Sequence, residues 1–426
     1  MSRLSNALGD IRDLHGGLNA FTILHQETGI NFHAERNQWT VREWAPGARE
    51  VNLMGDFNEW SKASHPLKKT PDGYWSLELP GQALAHRQLV KLHVVGADGS
   101  RYDRIPATIR RAVQDPSTYG YAGQIWEPVP YQWQHEFDPS TITSPIIYES
   151  HVGMAGEDPR VHSYHEFASE VLPRIAAAGY NTVQLMAIAE HPYYGSYGYH
   201  VSSFFAPCSR FGTPEDLKHL VDTAHGLGLA VLMDVVHSHA IKNYGEGLNN
   251  FDGSGGQYFH SDERGDHPGW DSKCFDYSKL EVQRSLLSNL RYWLEEFHFD
   301  GFRFDGITSL LYLHRGTASF ENYERYFDEE VDEDGLLYLQ LANAVVQEYR
   351  PGAILHSGRH VRPPRPLSSS LRGRQRIHPP PRHGDPRPLD QDPQGTARRG
   401  VGSLLALGCP HQSPSRRVEH CLRRVP

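Results

Sequence analysis

Residues 299–306 combine the residue types and the spacing of a catalytic carboxylate. They read Phe-Asp-Gly-Phe-Arg-Phe-Asp-Gly, and the alternation of phenylalanine with the charged residues Arg303 and Asp305 predicts a short buried strand. Residues two apart on a strand share a face, so the Arg303 guanidinium can hold the Asp305 carboxylate ionised and fix its rotamer. Such a carboxylate can act as a nucleophile, although a structural ion pair at a strand end would show the same pattern.

Two more polar clusters follow predicted strands. Residues 234–239 read Asp-Val-Val-His-Ser-His, and residues 191–199 read His-Pro-Tyr-Tyr-Gly-Ser-Tyr-Gly-Tyr. Because the carboxyl ends of the strands in a (β/α)8 barrel surround one pocket, we expect these side chains to meet Arg303 and Asp305. A single histidine is more often a hydrogen-bonded structural residue than a catalyst, but several polar residues coincide here. Carboxylates, histidines and tyrosines without a cysteine cluster favour a carbohydrate ligand over a metal or a nucleotide.

The elements that position these residues alternate between strand and helix from residue 146 onward. The patterns predict strands near 146–149, 182–188, 229–236 and 299–306, and helices near 164–178, 214–227, 281–297 and 335–349. Gly179 is expected to end one helix in a left-handed conformation, and Thr213 with Pro214 to begin another. Repeated βα units with apolar strands predict a parallel sheet, as in a TIM barrel. A doubly wound sheet is the alternative, but residues 151–154 lack the glycine-rich phosphate loop that it favours.

The region before residue 128 has an all-β pattern. Short alternating runs are broken by turns at 45–47, 71–73 and 97–99, which predicts a β-sandwich. Most aromatic residues in a sandwich belong to the core. Exposed tryptophans can also stack on the C–H face of a pyranose ring, and the candidates are Trp44, Trp60 and Trp75.

Composition places the chain among globular proteins without a nucleic-acid or membrane role. The net charge of -9 has no basic face, and no apolar run reaches the ~18 to 20 residues that span a bilayer or forms a signal peptide. The four cysteines show no C-x-x-C pairing, so neither a disulfide framework nor a structural zinc site is indicated. We therefore expect a cytoplasmic monomer without a metal or cofactor.

Six motifs resemble the α-amylase superfamily of glycoside hydrolases and, more closely, the eukaryotic glycogen and starch branching enzymes. They are residues 148–153, 184–188, 210–215, 220–225, 234–240 and 301–307. The likeness covers about 21–355 and includes 43–47 and 55–60, which resemble that family's carbohydrate-binding sandwich. The resemblance implies a retaining transfer on α-1,4-glucan or glycogen, in which a released segment is held covalently and passed to the 6-hydroxyl of another glucose.

The resemblance also implies roles for individual residues. Asp305 would be the nucleophile that forms the glycosyl-enzyme, and Arg303 would orient it. Asp234 would support the site. His239 would bond the sugar in the subsite before the cut, and Tyr199 would stack on that same sugar.

Further positions match glucan contacts of the family. On the sandwich and at the barrel mouth these are Trp44, Pro46, Trp60, Glu281 and Arg284, the last two as a surface contact. The chain departs from the family at His200, where Gln is usual, and near His93, where Lys is frequent.

The chain stops matching before it supplies a proton donor. A retaining pair needs a second carboxyl group about 5 to 5.5 Å from the nucleophile, which in this family is a Glu in an Ala-Glu-Asp setting after the fifth strand. Here residues 353–355 are followed by His-Ser-Gly-Arg-His-Val-Arg-Pro-Pro, and no carboxylate appears between Leu355 and Asp385. The family's proton donor is therefore missing after Leu355.

The composition changes at the same place. Beyond Arg350 the chain has no Lys, Phe, Tyr, Trp, Met or Asn, and Arg and Pro make up roughly a third of the residues, so there is little to bury. Codons permitted for residues 356–364, read one base later, can spell Thr-Ala-Glu-Asp-Met-Ser-Gly-Leu-Pro, which is the missing motif. We interpret this as a shifted reading frame, with an Arg/Pro-rich regulatory tail as the alternative.

The predicted fold class is α/β with five parts. An N-terminal segment (1–20) precedes a carbohydrate-binding β-sandwich (21–127), a linker (128–145), an incomplete (β/α)8 TIM barrel (146–355) and a disordered tail (356–426). An unclosed barrel exposes edge strands, which favours aggregation, and we expect no branching activity from this polypeptide. An amylase-like hydrolase and a non-catalytic glucan-binding protein are the alternative functions.

Overall fold

The computed structural model describes residues 3–318, 320 and 322–357, all in one structural unit. They form an antiparallel β-sandwich followed by a parallel sheet with helices, which confirms the predicted order of the two regions. The predicted disordered tail lies, from residue 358 onward, outside the described residues. None of the helices in the described part is long and apolar enough to cross a bilayer.

Two antiparallel sheets build the sandwich after three short helices. The helices are α1 (Arg3–His15), α2 (Leu18–Phe21) and α3 (Leu24–Glu27). The strands are β1 (Gly29–His33), β2 (Gln38–Trp44), β3 (Glu50–Gly55), β4 (Lys68–Lys69), β5 (Tyr74–Pro80), β6 (Leu89–Val95), β7 (Arg101–Arg104), β8 (Ala112–Gln114) and β9 (Tyr121–Gln124). One sheet has the order β1–β2–β5–β4, and the other has the order β3–β6–β9–β8, with β7 beside β6.

Alternating burial along the sandwich strands produces the core between the sheets. On β2, Trp39, Val41 and Glu43 are buried and the residues between them are partly exposed. Trp75 is also buried, and its indole N–H donates to the Ala45 carbonyl at 2.9 Å. Trp75 is therefore a core residue, and its candidacy for stacking on sugar was wrong because only 6% of its surface is exposed.

The parallel sheet has five strands in the order β10–β11–β14–β17–β18. They are β10 (Ile147–Ser150), β11 (Thr182–Leu185), β14 (Ala230–Val235), β17 (Gly301–Phe304) and β18 (Ile354–Ser357). Short antiparallel pairs lie in the loops between them: β12 (Ala189–Glu190) with β13 (Ser203–Pro207), and β15 (Ala240–Ile241) with β16 (Ser272–Lys273). The strands of a doubly wound sheet reverse order at a switch point; here the order follows the chain, as in a barrel.

Helices connect the parallel strands. They are α4 (Tyr164–Glu166), a π turn (Phe167–Val171), α5 (Leu172–Ala177), α6 (Pro214–Gly226), α7 (Leu280–Phe297), α8 (Ile307–Leu311) and α9 (Glu333–Tyr349). The predicted helix boundaries are confirmed where local chemistry sets them. Gly179 has φ 86° after α5, and the Thr213 hydroxyl accepts from the Asp216 N–H at the start of α6.

Strand β18 continues two residues past the predicted break at Leu355. Its register pairs Arg303 with His356 and Phe304 with Ser357. Ladder hydrogen bonds use only the backbone, and the sequence has no proline between Pro351 and Pro363 that would remove a donor. Among the described residues, β10 and β18 each have one neighbour in this sheet, so the sheet is open at both edges.

The sandwich packs directly against the long loop that follows β14. Arg104 is fully buried, and its guanidinium donates to the carbonyl oxygens of Asn249, at 2.5 Å, and Phe251. Gly253 of this loop passes so close to the sandwich that a Cβ there would lie 2.5 Å from the Gly96 Cα. The Gly47 N–H donates to the Asp252 carboxylate at 2.7 Å. These contacts hold the loop that reaches the mouth of the parallel sheet.

Candidate active site

The carboxyl ends of β14 and β17 bring two carboxyl groups to one arginine. The register of the two strands places Asp234 beside Arg303. The Arg303 guanidinium donates to Asp305 at 2.8 Å and also to Asp234. The predicted pairing of Arg303 with the carboxyl group two residues later is therefore present, and the neighbouring strand adds a second carboxyl group to it.

Asp234 and Asp305 differ in their access to solvent. The Asp234 side chain is fully buried, whereas that of Asp305 is 18% exposed. Asp234 accepts a hydrogen bond from the Tyr199 hydroxyl at 2.8 Å, and its other oxygen has no partner. Asp305 can thus reach a bound molecule, while Asp234 can only orient Arg303 and Tyr199.

Burial and the shared arginine set the protonation of the cluster. Burial raises the pKa of Asp234 to about 8 against the favourable charge of Arg303. Burial also raises the pKa of Asp305, again opposed by Arg303. Burial alone would lower the pKa of Arg303, but the carboxylates of Asp234 and Asp305 raise it. One guanidinium faces two desolvated carboxyl groups, so the site favours a single negative charge, which we assign to the exposed Asp305.

His239 holds the backbone next to this cluster. Its Nδ1 accepts from the Ser238 hydroxyl at 2.9 Å, and its Nε2–H donates to the Tyr199 carbonyl at 2.9 Å. Burial lowers the pKa of His239 to about 3, so the imidazole is neutral. Both ring nitrogens are engaged within the protein, and His239 fixes the backbone of Tyr199, whose ring lies 6.0 Å from the Arg303 guanidinium carbon.

Trp270 lies at the same mouth and was missed by reasoning from the sequence. Its side chain is one of the large exposed apolar groups, at 39%. It stacks on His267 with ring centroids 3.9 Å apart and 4° between the planes. Its ring is also 4.9 Å from that of His239. The only signal in the sequence was a tryptophan in the loop after a strand that carries polar residues at its carboxyl end.

The place expected for a proton donor follows from the register of β17 and β18. Ser357 pairs with Phe304, Asp305 follows Phe304, and the residue after Ser357 in the sequence is Gly358, which has no carboxyl group. Adjacent strands lie about 4.8 Å apart, which suits the separation of a retaining pair. The strand register pairs His356 with Arg303. Burial and the charge of Arg303 lower the pKa of His356. The Nε2 atom of His356 has no hydrogen-bond partner among the described residues.

Two of the glucan-contact candidates of the sandwich, Trp44 and Pro46, lie close to Glu281, and the third, Trp60, does not. The hydroxyl of Tyr74 donates to Glu281 at 2.5 Å, and a Cβ on the preceding Gly73 would lie 2.8 Å from Pro46. Trp44 packs edge-to-face on Tyr258 at 5.2 Å. Trp44, Pro46 and Glu281 therefore meet where the sandwich joins the barrel.

Trp60 lies elsewhere, whereas Arg284 lies beside Glu281, with 3.8 Å between its guanidinium and that carboxylate. Trp60 follows the far end of β3, about 17 Å along the strand from the turn that carries Pro46. Its indole N–H donates to Asp56 at 3.1 Å. Arg284 is buried and donates to Glu27 at 2.7 Å. A surface contact was expected for Arg284, and the structure instead shows a link between α7 and α3.

A separate cavity of about 780 Å³ opens on the second sheet of the sandwich. It is lined by residues that include Asn52, Lys62, His93, Tyr102 and Asp103. Asp103 accepts from His93 at 2.7 Å and from Lys62 at 2.8 Å. His93, which lies near a position where the resemblance leads us to expect Lys, is thus paired with Asp103 within this cavity.

One buried group in the described part of the chain has ligand atoms close enough to hold a metal ion. Those of Glu190, His191 and Cys208 lie within 4.8 Å of one another. Both Glu190 oxygens accept backbone N–H groups, from His191 at 3.1 Å and from Ser209 at 2.7 Å, and the Arg210 guanidinium is 3.7 Å away. We assign no metal here because the carboxylate is engaged and a cation already faces it.

Two sequence families match parts of the chain. Residues 27–109 match Carbohydrate-binding module 48 (Isoamylase N-terminal domain). Residues 169–273 match Alpha amylase, catalytic domain. The first match falls on the β-sandwich, and the second runs from the first helix of the βα region to β16, including Asp234, His239 and Tyr199.

Known proteins resemble the chain over most of its length. The 1,4-alpha-glucan-branching enzyme of Yarrowia lipolytica is 50% identical over 348 residues, which are 79% of this chain and 50% of that protein. The enzyme of the same name from Solanum tuberosum is 51% identical over 338 residues, or 76% of this chain and 39% of that protein. The chain spans about half the length of the curated relatives it matches.

A solved structure with low sequence identity shares the fold. The crystal structure of the Group B Streptococcus pullulanase SAP has a TM-score of 0.62 with this chain at 17% identity, covering 79% of this chain and 48% of that one. Over about four fifths of its length, the chain is thus a homologue of the eukaryotic 1,4-alpha-glucan-branching enzymes, with a carbohydrate-binding module 48 domain followed by part of an α-amylase catalytic domain.

Proposed function

We propose that the site at the ends of β14 and β17 belongs to a 1,4-α-glucan branching reaction. In this reaction Asp305 attacks the anomeric carbon of a glucose in an α-1,4-glucan, the bond to the rest of the chain breaks, and an ester to Asp305 forms. The 6-hydroxyl of a second glucan then displaces Asp305 and makes an α-1,6 branch. The observation that carries the proposal is the Arg303 guanidinium shared by a buried Asp234 and an accessible Asp305.

We further propose that this polypeptide does not complete the reaction. The leaving oxygen needs a proton from a carboxylic acid close to the nucleophile, and the sequence has none between Leu355 and Asp385. The expected activity on amylose is therefore negligible. Sequencing the transcript across the Leu355 codon tests the cause: a family-like continuation in another frame supports a shift, and its absence in every other frame contradicts it.

A substrate with a good leaving group separates the nucleophile from the missing acid. Fluoride leaves from α-maltosyl fluoride without taking a proton, so Asp305 can form the glycosyl ester even where no acid is present. We expect intact-protein mass spectrometry to show one maltosyl adduct, and peptide mapping to place it on Asp305. Asp305→Asn should abolish the adduct, whereas Arg12→Gln on the exposed surface should leave it unchanged.

Other outcomes of the labelling experiment contradict the proposal. An adduct on a different carboxylate would remove Asp305 from the nucleophile role. Measured branch formation on amylose by the purified chain, detected as new chains after isoamylase treatment, would overturn the predicted inactivity. New reducing ends without branches would favour the amylase-like hydrolase.

The sandwich supports a second candidate function, which is non-catalytic binding of glucan. Both of its sheets lie within the described residues, and the carbohydrate-binding module 48 match covers 27–109. We expect co-sedimentation of the chain with glycogen to persist in Asp305→Ala. Loss of sedimentation in Trp60→Ala, but not in the core-preserving variant Trp75→Phe, would locate the contact at Trp60.

A further inference from the structure

Trp270 occupies a position from which it can contact a substrate held at Asp305. A Cβ placed on Gly306, the residue after Asp305, would lie 3.1 Å from the Cζ3 atom of Trp270 and 2.4 Å from the Ser238 hydroxyl. Gly306 has φ 63°, and a larger residue there would be strained and would collide with these groups. The glycine thus allows the indole to approach the nucleophile.

The indole is held in a fixed orientation while part of it stays open. His267 covers one face in a parallel stack at 3.9 Å, and the His267 Nδ1 accepts from the Gly269 N–H at 3.1 Å. His239 lies against the ring at an angle of 55°. The side chain nevertheless remains 39% exposed. A rigid, half-covered indole beside a reactive carboxylate offers an apolar plane without a large entropic cost on binding.

We propose that Trp270 forms a glucose-binding subsite next to Asp305, where the C–H face of a pyranose ring of the α-1,4-glucan stacks on the indole. The glucose that stacks on it is the neighbour of the glucose under attack, because Tyr199 and Arg303 already occupy the surroundings of Asp305 on the side of Asp234. This inference deepens the proposed function and rests on it.

His200 positions the loop that carries Trp270. The His200 Nε2–H donates to the Trp270 carbonyl oxygen at 3.2 Å. The related enzymes usually have Gln at this place, and a Gln amide can donate an N–H to the same carbonyl. Either residue can therefore bond the Trp270 carbonyl, and His200 is a positioning residue for this subsite.

Fluorine NMR of the whole chain, with 5-fluorotryptophan at its eight tryptophans, tests the proposal directly. The resonance that disappears in Trp270→Phe is assigned to Trp270, and maltoheptaose is then added. We expect this resonance to shift with maltoheptaose and to stay in place with cellohexaose, whose β-linkages change the path of the chain. Trp270→Ala should raise the half-saturating concentration of α-maltotriosyl fluoride for adduct formation about tenfold, and Trp270→Phe should raise it less than about threefold.

The outcomes separate this inference from the function on which it rests. If maltoheptaose shifts other tryptophan resonances but not that of Trp270, the subsite is refuted while glucan binding stands. If no resonance shifts and α-maltosyl fluoride gives no adduct, the proposed function itself fails.

A matched pair tests the positioning role of His200. His200→Gln should leave the Trp270 resonance sharp, and His200→Leu should broaden it and weaken maltoheptaose binding. Equal behaviour of the two variants, with unchanged thermal unfolding, would refute that role.

Discussion

Arg303 serves two carboxyl groups, and this arrangement decides which of them can act. Asp234 is fully enclosed and is bonded by both Arg303 and the Tyr199 hydroxyl, whereas Asp305 keeps part of its surface open. A charge-assisted bond to a guanidinium stabilises the carboxylate form. Asp305 is thus kept ionised against the effect of its own burial, which raises its pKa.

Removing the arginine should shift the pH dependence of the nucleophile. In Arg303→Gln the burial of Asp305 is no longer opposed, so the pKa of Asp305 rises further and the carboxylate form is lost at higher pH. We expect the acid limb of adduct formation from α-maltosyl fluoride to move up by at least about one pH unit. The measurement is the labelling rate between pH 4 and pH 8.

The matched control for this prediction is Arg12→Gln. Arg12 pairs with Asp13 on an exposed surface, where its side chain is 72% exposed, so the limb should not move. A limb that stays in place in Arg303→Gln would show that Arg303 does not set the charge of Asp305.

At this scale the sequence predicted the central residues but not their surroundings. Arg303, Asp305 and Asp234 meet because strand spacing and register are regular, and a motif carries that information. Trp270 reaches the site from a long loop through contacts with His267 and His239. No local pattern encodes such a contact, because residues close in space come there from distant parts of a loop.

At the scale of the elements, Asp300 ties four segments together below the site. It is fully buried and accepts from the His225 imidazole at 2.8 Å, the Val231 N–H at 2.8 Å and the Arg350 guanidinium at 2.6 Å. Arg350 also donates to the Phe137 carbonyl at 2.9 Å. Helices α6 and α9, strand β14 and the linker thus share one carboxylate at the start of β17.

We predict that Asp300→Asn destabilises the chain strongly. The amide carries no charge and keeps one acceptor oxygen, so its NH2 group faces either Arg350 or the pair of His225 and the Val231 N–H, which are themselves donors, and that side loses its partner inside the protein. The expected loss is about 3 kcal/mol of the free energy of unfolding, measured by urea denaturation. Asp72→Asn is the control, because Asp72 pairs with Arg42 while 55% exposed, and it should cost under about 1 kcal/mol. Equal effects of the two substitutions would contradict the prediction.

Helix starts were predictable from the sequence because single residues define them, as Thr213 does for α6. Strand ends were not. The apolar run predicted a strand over 182–188, but β11 ends at Leu185. Ala187 and Ile188 are buried although they lie outside the strand. Burial and sheet pairing are different properties, and hydrophobic periodicity reports only the first.

At the scale of the whole molecule, buried titratable groups give the fold a defined pH range. Burial lowers the pKa of five histidines to about 3 or 4: His25, His191, His237, His239 and His267. Unfolding below pH 6.5 therefore takes up protons, and stability falls as the pH falls. Burial raises the pKa of Glu43 to about 7 and that of Asp234 to about 8. Unfolding releases these protons, and stability falls as the pH rises toward those values.

We predict a maximum of stability just below pH 7, where the two effects balance. Between pH 6.5 and pH 5.5 the five imidazoles outweigh the two carboxyl groups, and the expected loss is roughly 3 kcal/mol. The measurement is the urea midpoint from pH 5 to pH 8. Glu43→Gln should steepen the loss of stability on the acid side, because between pH 4.5 and about pH 7 Glu43 no longer offsets the histidines, and it should leave the slope above about pH 8 unchanged. A midpoint that rises steadily toward pH 5 would refute the assignment of neutral histidines.

The succession of sandwich and βα units was predictable from the sequence, because turn spacing and alternating elements are local. The contact between the sandwich and the loop after β14 could not be predicted. Arg104 reaches the carbonyl oxygens of Asn249 and Phe251 across 145 and 147 residues of chain, and a charged residue within a strand pattern gives no sign of such a partner.

The contact between the sandwich and this loop also has a consequence for the synthesis of the protein. Every group in the contact between Arg104 and its two carbonyl acceptors has left the ribosome well before the codon for residue 356 is read. The sandwich can therefore pack against this loop during synthesis. A nascent chain whose reading frame shifts downstream forms this contact in the same way as one whose frame does not shift.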